Sequence, residues 1–346
     1  MPKTLCSGSY ANGHLLRSVD GGVVWDDVFS TTGPEIYGIV GIATDGAGVW
    51  CFSIEDLYTD QGKIYRSDDD GLTWTLVYTA AEKHCIWSIA TDTAGTWFAV
   101  TNNTYGATVE SLILKSTDNG ENWVVNYSTG HVDPHHNMFS IAYGGGEVWC
   151  IGGDKRIYRT ANNGTSWAVV HTFAGYEDAW SIASNGAGVW CAGINLWEDS
   201  NGSIYRSADD GVTWTEAYVT GDWQVDTLAT DGDGNWCAVS TYLHGYIYRS
   251  INEGVDWTQV YDIRTALGVN PAVDVYITGM AQDDAGNWVV VGADDVGAVA
   301  IGSSDSGATW APLYESAVLA NTLWCIAFGG ALCPAPEINV GDVDFV

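Results

Sequence analysis

Acidic and aromatic side chains supply most of the chemistry open to this chain. It carries 43 Asp and Glu against 12 Lys and Arg, together with 18 Trp and 18 Tyr. Two carboxylates about 5–10 Å apart across a glycosidic bond hydrolyse it, and flat aromatic faces stack on sugar rings. One group of such residues stands ahead of a recurring short apolar segment: Glu35, Glu82, Asp133, Glu177, Asp178, Asp226 and Asp274, with Tyr37, Tyr176, Trp223 and Tyr276 beside them. These eleven residues form the candidate binding rim. Acids are so plentiful that no pair is singled out as general acid and base. The rim is therefore expected to bind rather than catalyse, and no catalytic residue is assigned. His131, Asp133, His135 and His136 are the one local cluster of metal-ligand types. A single loop fixes no coordination geometry, and the twelve-residue calcium-loop pattern does not occur. Neither a metal nor a cofactor is expected.

The charge balance narrows the partners. A formal charge of −31 and a pI near 4.1 oppose binding to nucleic acid, which needs a basic stripe to neutralise phosphates. They equally oppose an anionic membrane surface. The sequence holds no run of the roughly 20 apolar residues that a spanning helix requires, so direct membrane insertion is not expected. Met1 to Gly8 lacks the apolar core of a secretory signal. A cytoplasmic place, export without a visible signal, and a place in a virion are the expectations that follow.

Internal repetition reveals the elements that must hold the rim. A Ser-x-Asp-x-Gly-x-Thr-Trp pattern, with substitutions, occurs seven times. Full copies are Ser67, Asp69, Gly71, Thr73, Trp74; Ser207, Asp209, Gly211, Thr213, Trp214; and Ser303, Asp305, Gly307, Thr309, Trp310. Ser18, Asp20, Gly22, Trp25 and Ser116, Asp118, Gly120, Trp123 lack only the Thr. Two copies carry Asn for Asp: Thr160, Asn162, Gly164, Trp167 and Ser250, Asn252, Gly254, Trp257. The tryptophans are spaced by 49, 49, 44, 47, 43 and 53 residues, which suits one four-stranded antiparallel unit per repeat.

A second pattern runs in phase: aromatic-Ser-Ile-Ala, a turn, then Val-Trp-Cys. Trp180-Ser181-Ile182-Ala183 leading to Val189-Trp190-Cys191 is the clearest copy. That unit is predicted as strands over 180–183, 189–193, 203–207 and 213–219. Trp324 to Ala327 begins a unit that does not finish, while Leu5-Cys6 matches the second strand of a unit. The two ends are therefore expected to share one blade, which leaves no open sheet edge. Residues 1–333 are read as the propeller and 334–346 as a C-terminal tail.

The repeated residues have structural reasons. Asp accepts hydrogen bonds from turn N–H groups, Gly reaches conformations that strain other residues, and Trp covers the turn. Asn162 and Asn252 keep the carbonyl acceptor. Arg17, Arg66, Lys115, Arg159, Arg206 and Arg249 each precede the Ser or Thr of the pattern; they are expected to cover the aromatic packing or pair with a neighbouring acid. Cys6, Cys51, Cys150, Cys191 and Cys237 recur at one position and are expected to be small buried thiols.

These seven copies resemble the Asp-box, or bacterial neuraminidase repeat, found in sialidase-like propellers and in photosystem II assembly factors. The resemblance implies an all-β fold: a seven-bladed β-propeller with four-stranded antiparallel blades, the last closed by both termini. A sialidase would also need three arginines converging on the substrate. Of seven Arg, five occupy the repeated position, which leaves Arg156 and Arg264. The same scarcity removes the arginine patch that the assembly factors use. The expectation is a non-catalytic recognition or structural module, such as a phage virion or tail-associated protein, binding protein or neutral glycan, virion proteins among them, through its loops. The alternative is a glycoside hydrolase acting on a neutral polysaccharide, or an assembly factor for a membrane protein complex.

Overall fold

The computed structural model describes residues 4–9, 13–19, 24–31, 38–55, 61–81, 84–103, 110–130, 137–175, 177–196, 202–241, 245–268, 275–283, 285–293, 297–316 and 323–329. They form twenty-eight strands and one short helix, Ile263–Leu267. One unit shows the construction. Glu177–Ser184, Trp190–Leu196, Ser203–Ser207 and Thr215–Val219 pair antiparallel in that order. The inner strand starts before the predicted one. The outer strand starts later, because Thr213 and Trp214 belong to the turn. Second strands are buried on both faces, and each of six opens with a fully buried Trp: 50, 97, 149, 190, 236 and 288. Outer strands keep one face in water, as Thr215–Val219 does.

The sheet count corrects the expected seven separate blades. Five four-stranded sheets stand alone, and the strands between Glu177 and Asp262 run together as one eight-stranded sheet. The junction is a single pairing, Asn195 with Gln224. Leu196 N–H also donates to the Trp223 carbonyl at 3.4 Å. Length alone does not cause the merger, since Trp97–Asn103 is as long as Trp190–Leu196 and its sheet stays separate. The tryptophan pattern counts units of sequence and does not encode which strand ends meet.

The inner strands touch their neighbours in order, from Ile39–Thr44 to Leu323–Gly329, and the last touches the first. Leu323–Gly329 pairs with Thr4–Ser9, so the two ends of the described chain lie in one sheet. Residues 334–346, expected as a tail, lie outside the described residues.

The repeated turn works through side-chain acceptors. Asp69 Oδ1 accepts from the Thr73 N–H at 2.8 Å and from the Ser67 hydroxyl at 2.7 Å, while Thr73 Oγ1 donates to Oδ2 at 2.6 Å. Ser67 Oγ accepts from Gly71 N–H at 3.0 Å, and Trp74 Nε1 donates to the Gly71 carbonyl at 3.1 Å. Asp209 and Asp305 repeat this. Asn162 and Asn252 keep the Oδ1 acceptor for Ser166 and Asp256 N–H. Donation from the Asn122 side chain and backbone pulls the Asp118 carboxyl down to about 2. These acids are tied to their own turns. Asp20 lies outside the described residues.

The recurring basic residues do something the sequence reading did not foresee. Each reaches into the next unit's turn and donates to the carbonyl of its left-handed residue: Arg17 to Asp70, Arg66 to Asn119, Lys115 to Asn163, Arg159 to Asp210, Arg206 to Glu253 and Arg249 to Ser306, at 2.5–2.9 Å. All six acceptor residues have φ between 51° and 62°, which turns the carbonyl toward the preceding unit. Two of the cations, Arg17 and Arg159, also pair with the carboxylate of that residue. The cations are thus clasps between units. In Ala298–Ser303 the equivalent position is Gly302.

The cysteines join the same junction. A Cβ on Gly71, Gly120, Gly211, Gly254 or Gly307 would lie 2.4–3.0 Å from the Sγ of Cys6, Cys51, Cys150, Cys191 or Cys237 of the preceding unit. Burial pushes these thiols up, out of reach of reactive chemistry.

Candidate functional site

Every inner strand carries a β-bulge at one equivalent position. The register skips Val40, Trp87, Phe139, Trp180, Asp226, Thr278 and Trp324. A bulge leaves one residue out of the ladder and re-aims its side chain. The first six of these residues line a central cavity of about 480 Å³. Sequence reading placed this pattern on the first strand of each unit and gave its aromatic member no role of its own. The clue was present: the position before Ser-Ile-Ala is aromatic in three consecutive units, and Asp226 occupies it in the fourth.

One side of the cavity is aromatic. Phe139 and Trp180 stack with centroids 4.5 Å apart and planes 3° apart. Trp87 meets both edge-on at 6.5 and 6.3 Å. The next strand in the ring brings Asp226. Its Oδ1 accepts from the Gln224 amide at 2.6 Å, and its Oδ2 accepts from the Thr241 hydroxyl. Burial, and then the charge of Asp222, push the Asp226 carboxyl well above the ordinary range. Asp222 lies beneath it, fully buried and accepting from Ser240 Oγ at 3.2 Å. Ser88, Ser140, Ser181, Thr227 and Thr278 also line the cavity wall, with the Ser181 and Thr278 hydroxyls donating to the Val225 and Leu323 carbonyls of the next inner strand and Ser88 Oγ accepting from Ile141 N–H. Two polar atoms on this wall, Ser140 Oγ and Trp180 Nε1, are buried without a hydrogen-bond partner.

The mouth lies where the inner strands begin. Trp223 and Tyr276 are each 40% exposed. Gln224 and Tyr276 open their strands and line the cavity. Of the expected rim, Asp226 and Tyr276 thus line the cavity, and Trp223 stands exposed beside Gln224, outside the lining. Glu177 opens its strand half-buried, away from the cavity lining.

Asp178 turns inward instead. It bridges to Asp154 across two units, where both are buried, and its Oδ1 accepts from Lys155 N–H at 3.2 Å. Asp154 Oδ2 accepts from Asn137 N–H at 3.1 Å. Burial, and secondly the charge of Asp178, push the Asp154 carboxyl up to about 7. Asp154 is a structural acid that the sequence reading missed, because only the fold brings it to Asp178. Glu35, Tyr37, Glu82, Asp133, Tyr176 and Asp274 lie outside the described residues, as do His131, His135 and His136. Among the described residues no group of three or more His, Cys, Asp or Glu could hold a metal ion, and no helix is long and apolar enough to cross a membrane.

No family model matches the chain. No curated protein matches it either. The expected kinship with Asp-box, sialidase-like propellers is therefore corrected. A turn built from Ser, Asp, Gly and Trp is a local solution to folding the chain back, so its recurrence by itself reports geometry. Solved structures do share the fold. The GH74 xyloglucanase from Xanthomonas campestris aligns with TM-score 0.60 and 17% identity over 80% of this chain and 45% of that one. The chain thus spans less than half the length of that enzyme. YCF48 bound to D1 peptide aligns with TM-score 0.57 and 15% identity over 82% and 84% of the two chains. A protein from Lactobacillus plantarum aligns with TM-score 0.65 and 12% identity over 95% and 99%. At these identities the likeness is one of fold: an all-β, propeller-like arrangement of four-stranded blades, shared with carbohydrate-active and peptide-bound proteins.

Proposed function

We propose that the protein engages a neutral polysaccharide at the channel mouth. The carrying observation is two rings exposed at the starts of neighbouring inner strands, Trp223 and Tyr276, with Gln224 beside them at the edge of the cavity. Flat rings stack on sugar faces, and a side-chain amide exchanges hydrogen bonds with sugar hydroxyls. The charge of −31 repels anionic glycans, which is why the ligand class is neutral. The fold shared with a xyloglucanase supports the same class.

Hydrolysis would ask for a second carboxylate facing Asp226 across the bond to be cut. Among the described residues that line the cavity, Asp226 is the one acid. The reading is therefore binding, with cleavage as a measurable outcome. A peptide across the same mouth is the second reading, favoured by the peptide-bound YCF48 fold.

Affinity electrophoresis through gels holding xyloglucan, galactomannan, mixed-linkage glucan or polygalacturonate tests it. Retardation in a neutral gel, lost in Trp223→Ala and Tyr276→Ala and absent in polygalacturonate, is expected. Free mobility in every neutral gel would refute it. A rise in reducing ends, lost in Asp226→Asn, would convert the reading to hydrolysis.

A further inference from the structure

The ring of bulges below the mouth has a chemistry of its own. Phe139 occupies one face of Trp180, and the neighbouring strand presents Asp226 to the same cavity. The carboxylate forms no ion pair among the described residues; its partners there are an amide and a hydroxyl. Electron-rich ring faces attract cations, and quaternary ammonium groups suit them best because they shed water readily. Burial holds the Asp226 carboxyl above the ordinary range, so a cation seated beside the rings displaces its proton to solvent, and the carboxylate so formed supplies the opposite charge in a partly desolvated space. The surrounding chain, at −31, raises the local concentration of any cation. Among the described residues that line the cavity there is no arginine or lysine, and six of the chain's twelve are spent as clasps between units.

We infer that the bulge ring is a receptor for a small quaternary ammonium compound, seated against Trp87 and Trp180 with its charge toward Asp226. The cavity of about 480 Å³ falls within the range of small-molecule sites. The site is distinct from the glycan platform at the mouth, since it uses the bulged residues and not Trp223. Neither reading depends on the other.

Isothermal titration of the whole chain with choline, with tetramethylammonium and with 3,3-dimethyl-1-butanol, the uncharged isostere of choline, tests the inference, with sodium chloride at matched ionic strength as background. Both cations are expected to give saturable heats. The isostere is expected to bind at least about tenfold more weakly, because it keeps the shape and loses the charge. Asp226→Asn, which keeps the side-chain volume and an acceptor for Gln224, is expected to weaken choline by about tenfold. Equal binding of choline and its isostere would overturn the inference, as would the absence of saturable heat with either cation. Both outcomes are read on the unmodified protein. A variant that fails to fold therefore leaves the test intact, and glycan retardation is scored separately.

Discussion

Replacing Asp154 by Asn should stabilise the protein, and only on the alkaline side. Asp154 and Asp178 are buried together between two units, and the Asp154 carboxyl stands at about 7 against an ordinary 3.8. Below pH 4 the folded and unfolded chains both hold this proton, so the residue costs nothing. Between pH 4 and pH 7 the folded chain keeps a proton that the unfolded chain releases, and stability falls as pH rises. Above pH 7 the whole penalty is expressed. A displacement of that size corresponds to about 4 kcal/mol as a ceiling. For a chain of this length it translates to about 5 °C in Tm. Asn keeps an oxygen for the Asn137 N–H and offers an N–H toward Asp178 in place of the proton. Calorimetry of both proteins should give similar Tm values near pH 4 and a higher Tm for Asp154→Asn at pH 8. A gap that is the same at both pH values, or an Asn variant less stable at pH 8, would refute the reasoning.

Other expectations concern the junctions between units. Arg66→Ala removes the donor to the Asn119 carbonyl and should cost about 1.5–3 kcal/mol by urea denaturation; Arg66→Lys should cost less, because Lys115 fills the same role one unit on. Gly120→Ala should cost about 2–4 kcal/mol, from a φ of 82° and a Cβ 2.7 Å from Cys51 Sγ. Cys51→Ala in that background should return part of the loss, while Gly95→Ala, with open space around it, should cost only about 1 kcal/mol. Hydrogen exchange in mild denaturant should release Ala298–Ser303 before Ser203–Ser207, since Gly302 stands where Arg206 clasps the next unit; equal protection of the two strands would count against the clasps.

The parts of this fold that were readable in advance are those written in local chemistry. Asp69, Gly71 and Trp74 fold their own turn, so their recurrence located every described turn of that kind and the strands on either side. What joins one unit to the next was harder to see. Arg66 and Asn119 are 53 residues apart, and no local pattern pairs them; only stacking of the units brings the cation to the left-handed carbonyl. The eight-stranded sheet escaped for a similar reason, since it hangs on one pairing between units, Asn195 with Gln224.

The site was half legible. Trp223, Asp226 and Tyr276 were marked as rim residues because they sit at the start of inner strands; Asp226 and Tyr276 line the cavity, while Trp223 stands exposed outside its lining. Asp178 was marked on the same grounds and turns inward to Asp154. Asp226 is the skipped residue of its strand, while Asp178 and Tyr276 both stay in register, with Asn195 and Ala293, and of those two only Tyr276 lines the cavity. A single residue of register decides which side a strand residue faces, and sequence spacing alone does not carry that information. Trp87, Phe139 and Trp180 were seen as a strand pattern and not as site residues, although the same bulge turns them into the cavity.

The most direct test of the account is a crystal structure of the protein soaked with a neutral xyloglucan oligosaccharide. The account predicts sugar density at the channel mouth, with pyranose faces against Trp223 and Tyr276 and a hydroxyl bonded to Gln224. Sugar bound along an outer strand or on the repeated turns, with the mouth empty, would contradict it.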